Sequence, residues 1–112
     1  MVKKKYIPEQ GDIVWVNFNP TSEHEQKGKR PAFVVSRRVY NEKSGLALLC
    51  PVTSHEKGYP FEVLLKNDKI QGVILVDQIR SIDWKERSVS FIAKSGSLVC
   101  AEVKEKLSVL IR

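Results

Sequence analysis

From residue 12 to residue 82 the chain alternates short apolar segments with polar breaks, and glycine or proline stands near the ends of most segments. Asp12-Ile13-Val14-Trp15-Val16-Asn17-Phe18 is β-branched and aromatic and is bounded by Gly11 and Pro20. Such side chains fit a pleated, half-buried surface, so this stretch predicts a strand. A polar run, Ser22-Glu23-His24-Glu25-Gln26-Lys27-Gly28-Lys29-Arg30, follows and stops at Pro31. Ala32-Phe33-Val34-Val35-Ser36 then predicts a second strand whose start is set by the proline. Arg37–Ser44 lacks a long helical period and predicts a short helical turn before Gly45. Leu46–Thr53, Pro60–Lys66 and Gly72–Ile82 predict three more strands. The continuous apolar character of the first and last of these implies cover on both faces.

The pattern changes near the C-terminus. From Ser97, a candidate N-cap, apolar residues fall at Val99, Val103, Leu107, Leu110 and Ile111, with Glu102, Lys104, Glu105 and Lys106 between them. That spacing draws one apolar stripe along a helix. Five or more short strands, a helical turn and one terminal helix predict a mostly β (α+β) fold: a small, strongly curled, barrel-like sheet with an appended helix.

Composition adds limits. The 112 residues make one domain, spanning 1–112, large enough for a core without staples. Hydrophobic residues at 42% and charged residues at 29% are ordinary for a globular chain. No apolar run reaches membrane-spanning length. The basic start Met1-Val2-Lys3-Lys4-Lys5 has no apolar stretch behind it, so no secretory signal is expected and the cytoplasm is the expected location. Cys50 and Cys100 are too few and too far apart for a zinc finger, and Cys50, following Leu46-Ala47-Leu48-Leu49, reads as a reduced core thiol. Nineteen basic against 13 acidic residues leave a formal charge of +6, which attracts polyanions without choosing among them.

Candidate chemistry lies in three polar breaks. Arg30 precedes Pro31, which pushes its backbone toward an extended shape and braces a guanidinium suited to phosphate; a surface arginine on a basic loop is the plainer reading. Thr53 ends the third strand, either as a phosphate-facing hydroxyl or as the cap of the Ser54–Gly58 turn. Asp77 and Gln78 break the apolar run 72–82, so they face a groove or bond within the barrel. His24 and His55 lack a third ligand at zinc-like spacing, so no metal and no cofactor is expected. Asp12 reads as a strand-entry turn residue. Among the aromatic residues Tyr59, between Gly58 and Pro60, is the best placed to stack on an unpaired base while Lys and Arg hold a backbone.

Together these segments resemble the MazF/PemK family of bacterial toxins, the ribonuclease halves of toxin–antitoxin pairs. The motifs that carry the resemblance are Gly11–Pro20, Glu25-Gln26-Lys27-Gly28-Lys29-Arg30-Pro31-Ala32, Pro51-Val52-Thr53, Lys57-Gly58-Tyr59-Pro60-Phe61-Glu62-Val63, Gly72–Gln78 and Val109-Leu110-Ile111. They occur in order along nearly the whole chain, and the short Lys57–Phe61 loop is most like the MazF branch. The stretch between Arg87 and Leu98 shows little likeness.

The resemblance implies an SH3-like barrel of the CcdB/MazF type, a homodimer, and sequence-specific, metal-independent cleavage of single-stranded RNA, hence of mRNA. It also implies a cognate antitoxin, whose acidic disordered segment would cover the basic site. The family's arginine falls on Arg30 and its hydroxyl on Thr53; Glu25 and Gln26 match the loop lining the site. In the Kid/PemK branch the acidic partner falls on Asp77 and a histidine on His24, while that branch's second arginine is Leu75 here. The catalytic set is then Arg30, Thr53, Glu25 and His24, with Gln26, Lys27, Lys29, Lys57, Tyr59, Asp77 and Gln78 as RNA contacts. Arg30 would neutralise a phosphorane and Thr53 would donate to a non-bridging oxygen. Arginine is a poor base at neutral pH, and either Glu25 or His24 suits that role. A barrel that binds without cutting and a CcdB-like gyrase poison are the other readings; the Arg30-Pro31 and Pro51-Val52-Thr53 matches argue against the poison.

Overall fold

The computed structural model describes residues 5–18 and 28–112. His24, Glu25, Gln26 and Lys27 lie outside the described residues. Seven strands carry the chain: β1 (Asp12–Asn17), β2 (Lys29–Val34), β3 (Leu46–Thr53), β4 (Glu62–Lys66), β5 (Gln71–Leu75), β6 (Arg80–Asp83) and β7 (Ser90–Lys94). Two helices accompany them, α1 (Arg38–Ser44) and α2 (Ser97–Ile111), and a 3-10 turn spans Val76–Gln78. The sheet runs β4-β5-β3-β2-β1-β7, with β6 also pairing β3. It is the strand-rich, curled sheet with a C-terminal helix expected from the sequence.

Strand alternation divides the interior between the two faces of this sheet. Ile13, Phe33, Cys50, Val52, Val63, Leu65, Ile74 and Val76 form one core, which α2 closes with Val103. Val14, Val16, Ala32, Val34, Ala47 and Leu49 form the other, with Ile82 and Trp84. The strand β3 supplies residues to both, so its continuous apolar run is covered on both faces, as expected.

Several boundaries differ from the sequence-based expectation, each for a physical reason. β2 spans Lys29–Val34 and not Ala32–Ser36: the β2–β1 ladder reaches Lys29↔Asn17, whereas the β2–β3 ladder starts only at Ala32↔Pro51, so Pro31 sits where its missing N–H is tolerated. Arg30 is therefore a strand residue and not a loop residue. The apolar run 72–82 is not one strand. Its two parts, β5 and β6, both pair with β3, and the 3-10 turn lies between the two ladders, beside Cys50 and Pro51. The strand 60–66 is shortened to 62–66, and β7 was not expected at all. Ser97 is the first helical residue of α2, not its cap; Gly96 stands at the cap position without a side-chain bond. Along α2, Val99, Val103 and Leu107 meet the core, while Leu110 and Ile111 are exposed. Asp12 is more than a turn residue. It is buried and accepts from Tyr6 Oη and Lys94 Nζ, tying the N-terminal segment to β7.

A second node braces α1. Asn41 is fully buried; its side-chain nitrogen donates to Pro8 O at 2.8 Å and Ser36 O at 3.1 Å, and its side-chain oxygen accepts from Ser36 Oγ. Its carbonyl accepts Trp84 Nε1 at 2.9 Å. Gly45, at φ 75°, ends the helix in the left-handed conformation that favours glycine.

Candidate active site

The pairing of β2 with β3 brings Arg30 and Thr53 to the same cleft. The β2–β3 ladder ends at the pair Ala32↔Pro51, and Arg30 and Thr53 each lie two positions beyond that pair on their own strands. Alternation puts Ala32 and Val34 of β2 and Ala47 and Leu49 of β3 into one core. Arg30 and Thr53 continue those two series beyond the end of the apolar cover. Both side chains open on a cleft of about 360 Å³, lined also by Phe18, Pro51, Val52, Leu75, Gln78 and Arg80. The Arg80 guanidinium lies 5.1 Å from the centre of the Phe18 ring, a cation–π distance that holds it at the cleft. A cleft edged by two guanidinium groups and a hydroxyl matches a phosphodiester in charge and in donor count.

Thr53, Leu75 and Gln78 also line a larger cavity of about 440 Å³, completed by His55, Lys57, Tyr59, Glu62 and Asp77. The two spaces therefore share a ridge. Tyr59 is exposed, and the Lys57 ammonium lies 5.9 Å from the centre of its ring. One face of this cavity is thus aromatic and cationic, while Asp77 and Gln78 from the 3-10 turn add an acceptor and an amide. Asp77 stands near Cys50 as well: burial first, and the Asp77 charge second, push the Cys50 thiol up to about 12. Cys50 is a buried, free thiol, as expected from its apolar surroundings.

Of the residues expected in the site, the structure brings together Arg30, Thr53, Lys57, Tyr59, Asp77 and Gln78 along the two joined spaces. Lys29 is exposed on β2 and lines neither. Thr53 caps the turn, as one of its two readings has it: its Oγ1 accepts the backbone N–H of His55 at 3.2 Å, and the residue also lines both spaces. Arg80, Phe18, His55, Glu62 and Leu75 are lining residues that the sequence reading left out of the site. For Glu62 a signal existed, an acid opening an otherwise apolar strand; for Arg80 none did. Among the described residues no group of three or more His, Cys, Asp or Glu side chains comes together as metal ligands would.

Comparison with known proteins places this architecture. Residues 9–111 match the model of a family described as the PemK-like, MazF-like toxin of type II toxin–antitoxin systems. The chain is 44% identical over 110 residues to the endoribonuclease toxin MazF of Escherichia coli K12, covering 96% of each sequence. Its fold superposes on the MazE–MazF complex from Deinococcus radiodurans with a TM-score of 0.85 at 44% identity, covering 96% of this chain and 97% of that one. Against MazF alone from the same organism the TM-score is 0.84 at 47% identity, with 96% and 98% covered.

Proposed function

Because the chain belongs to the PemK-like, MazF-like toxin family of type II toxin–antitoxin systems, we propose that it is an endoribonuclease that cuts single-stranded RNA at the Arg30–Thr53 cleft. The observation that carries this is the joining of two unlike spaces along one ridge. The smaller has the charge for a phosphodiester and the larger has a ring, a lysine and polar groups for an unpaired base. An A-form duplex would hide its base edges and hold its 2′-hydroxyl out of line, so the arrangement suits splayed nucleotides and sequence-specific cleavage of messages.

In the cut, the 2′-oxygen loses its proton to a base and forms a bond to the adjacent phosphorus. The phosphorus–O5′ bond then breaks, and the 5′-oxygen takes up a proton. The products are a 2′,3′-cyclic phosphate and a free 5′-hydroxyl. Negative charge grows on the non-bridging oxygens along the way. Arg30 neutralises it, Arg80 adds a second positive field, and the Thr53 hydroxyl donates a hydrogen bond to a non-bridging oxygen. Thr53 is suited to donate because its oxygen already accepts the His55 N–H, leaving its own proton to be directed into the cleft. The base is Glu25 or His24, on the segment that leads into β2. No metal ion enters the scheme; the cations it uses are the two guanidinium groups.

A basic chain of charge +6 with Lys57, Arg30 and Arg80 lining the site suits an acidic antitoxin segment that orders as it covers the cleft. Val109, Leu110 and Ile111, exposed at the end of α2, suit a second copy of the chain in a homodimer. No helix among the described residues is long and apolar enough to cross a membrane, and the cytoplasm, where mRNA lies, is the proposed location.

The test is incubation of the purified protein with a long single-stranded RNA in EDTA. Discrete fragments with cyclic-phosphate ends are expected, and sequencing those ends would give the recognition sequence. A shifted but intact RNA would instead indicate a binding module, and an unaffected RNA with inhibited gyrase would indicate a gyrase poison.

A further inference from the structure

We infer that Glu62 is a positioning residue of the RNA site: its carboxylate holds the Lys57–Tyr59 wall of the larger cavity in the shape that grips the substrate. This rests on the ribonuclease reading above and extends it to a residue outside the cleft chemistry.

Glu62 is 8% exposed and opens β4, paired with Leu75 on β5. Burying a carboxylate is costly unless hydrogen bonds replace its water. Here backbone N–H groups do so. Lys57 N donates to Oε2 at 3.1 Å and to Oε1 at 3.2 Å, and Gly58 N donates to Oε1 at 2.9 Å. Two successive amides converging on one anion form a nest of the kind that otherwise captures phosphate. Gly58, at φ 79°, supplies the left-handed turn that aims them.

The rest of Glu62 is fixed as firmly. Its N–H donates to Tyr59 O at 3.1 Å, and its carbonyl accepts Lys106 Nζ from α2 at 2.8 Å. One residue thus joins the loop, the sheet and the terminal helix. The loop it grips, between β3 and β4, has no regular structure of its own from Ser54 to Pro60. At its other end, Thr53 Oγ1 takes the His55 N–H. The loop is therefore held by two site residues, one at each end, and Lys57 and Tyr59 stand on the span between them.

A glutamine at this position would bring an amide N–H₂ against two N–H donors, and an aspartate would fall one methylene short of them. Either change frees the wall without touching Arg30 or Thr53. Because the wall grips ground state and transition state alike, the loss falls on KM and leaves kcat near the parent value. The size expected is about tenfold, below the roughly 10²-fold that a misplacement of about 1 Å costs at the reacting atoms.

The experiment measures binding of a fluorescent single-stranded RNA by anisotropy, steady-state cleavage, and amide hydrogen exchange at Lys57 and Gly58. The proteins are the parent, Glu62→Gln, Glu62→Asp, the Lys57→Ala/Tyr59→Ala double variant, and that double variant carrying Glu62→Gln. The expected result is faster exchange and about tenfold weaker binding in both Glu62 variants, with no further loss when Glu62→Gln is added to a protein already lacking the wall. Faster exchange with unchanged RNA affinity and KM would overturn the inference and leave the ribonuclease reading standing. So would additive losses, or Glu62 variants that do not fold, which would make the residue structural. A parent protein that neither binds nor cuts RNA would overturn the ribonuclease reading, and this inference with it.

Discussion

Thr53 Oγ1 accepts the amide proton of His55 at 3.2 Å, so one hydroxyl both closes the turn after β3 and faces the cleft beside Arg30. The turn bond needs only the oxygen's lone pair, and the cleft needs only its proton. Thr53→Val keeps the shape and removes both. His55 is exposed, so water can take over its N–H and the stability cost should stay within about 1 kcal/mol. Single-turnover cleavage should fall about tenfold or more, since one preorganised donor to a developing oxyanion is lost. Unchanged cleavage by the valine variant would limit Thr53 to the turn.

Arg30→Ala separates chemistry from folding. Arg30 is exposed at the mouth of β2, and exposed substitutions usually change stability by no more than about 0.5 kcal/mol. Cleavage should fall about 10²–10³-fold, with RNA binding weakened far less, because Arg80 and Lys57 remain. Single-turnover rates beside thermal melts decide it. A well-folded alanine variant cutting at near the parent rate would remove Arg30 from the site.

Gly72→Ala should damage the site from behind. A Cβ at Gly72 would stand 2.4 Å from the carbonyl oxygen of Thr53 and 3.1 Å from its carbonyl carbon. Backbone atoms of a paired strand cannot yield cheaply, so β3 and β5 must part near Thr53. Both the melting temperature and cleavage should fall, whereas Gly45→Ala, with nothing within 4 Å of the added Cβ, should affect melting through its positive φ and leave the cleavage of folded protein unchanged. Equal behaviour of the two variants in cleavage would contradict this.

Stability should decline on the alkaline side. Burial, and then Asp77, push the Cys50 thiol from an ordinary 9.0 up to about 12. Between those values the unfolded chain has released the proton and the folded chain has kept it, so unfolding gains as pH rises. Tyr6, raised by burial and then by its bond to Asp12, acts in the same direction at higher pH. Lys94, raised mainly by its bond to Asp12, adds little because its side chain is exposed. Melting temperature should be flat toward pH 9 and fall beyond it. Cys50→Ala should start from a lower value at neutral pH but fall less steeply above pH 9; equal slopes would show that Cys50 does not contribute.

Asn41→Ala should be the most destabilising of these changes. It strands the buried acceptors that Asn41 now satisfies, Pro8 O and Ser36 O, and takes from Ser36 Oγ the acceptor of its proton, leaving that oxygen only the Leu48 N–H, at about 1–3 kcal/mol for a lost buried partner. A fall in melting temperature on the order of 10 °C follows. Asn41 lines neither joined space, so the cleavage rate of folded protein at low temperature should match the parent. A loss of both together would mean that α1 shapes the site.

What the sequence determined by itself was local. Short β-branched segments, their glycine and proline breaks and the 3.6-residue period after residue 97 depend on neighbours along the chain, and they read correctly as strands and a terminal helix. Order-preserving motifs singled out Arg30, Thr53, Lys57, Tyr59, Asp77 and Gln78, which the fold does bring together. Tertiary structure alone decided how those residues meet. β2 and β3 run past their last pair, Ala32↔Pro51, to bring Arg30 and Thr53 to one cleft, and a 3-10 turn opposite Pro51 interrupts what reads as one strand from 72 to 82. Arg80 reaches the cleft because β6 pairs with β3 and Phe18 lies under its guanidinium, a relation between residues far apart in sequence that no local period encodes. The same holds for Glu62. An acid at the start of an apolar strand looks like a solvent-facing break, until two backbone amides from the preceding loop turn back and fill it. β7 escaped because its residues are mostly exposed or half-buried, so an edge strand carries little hydrophobic signal of its own and is held by the partner it pairs with.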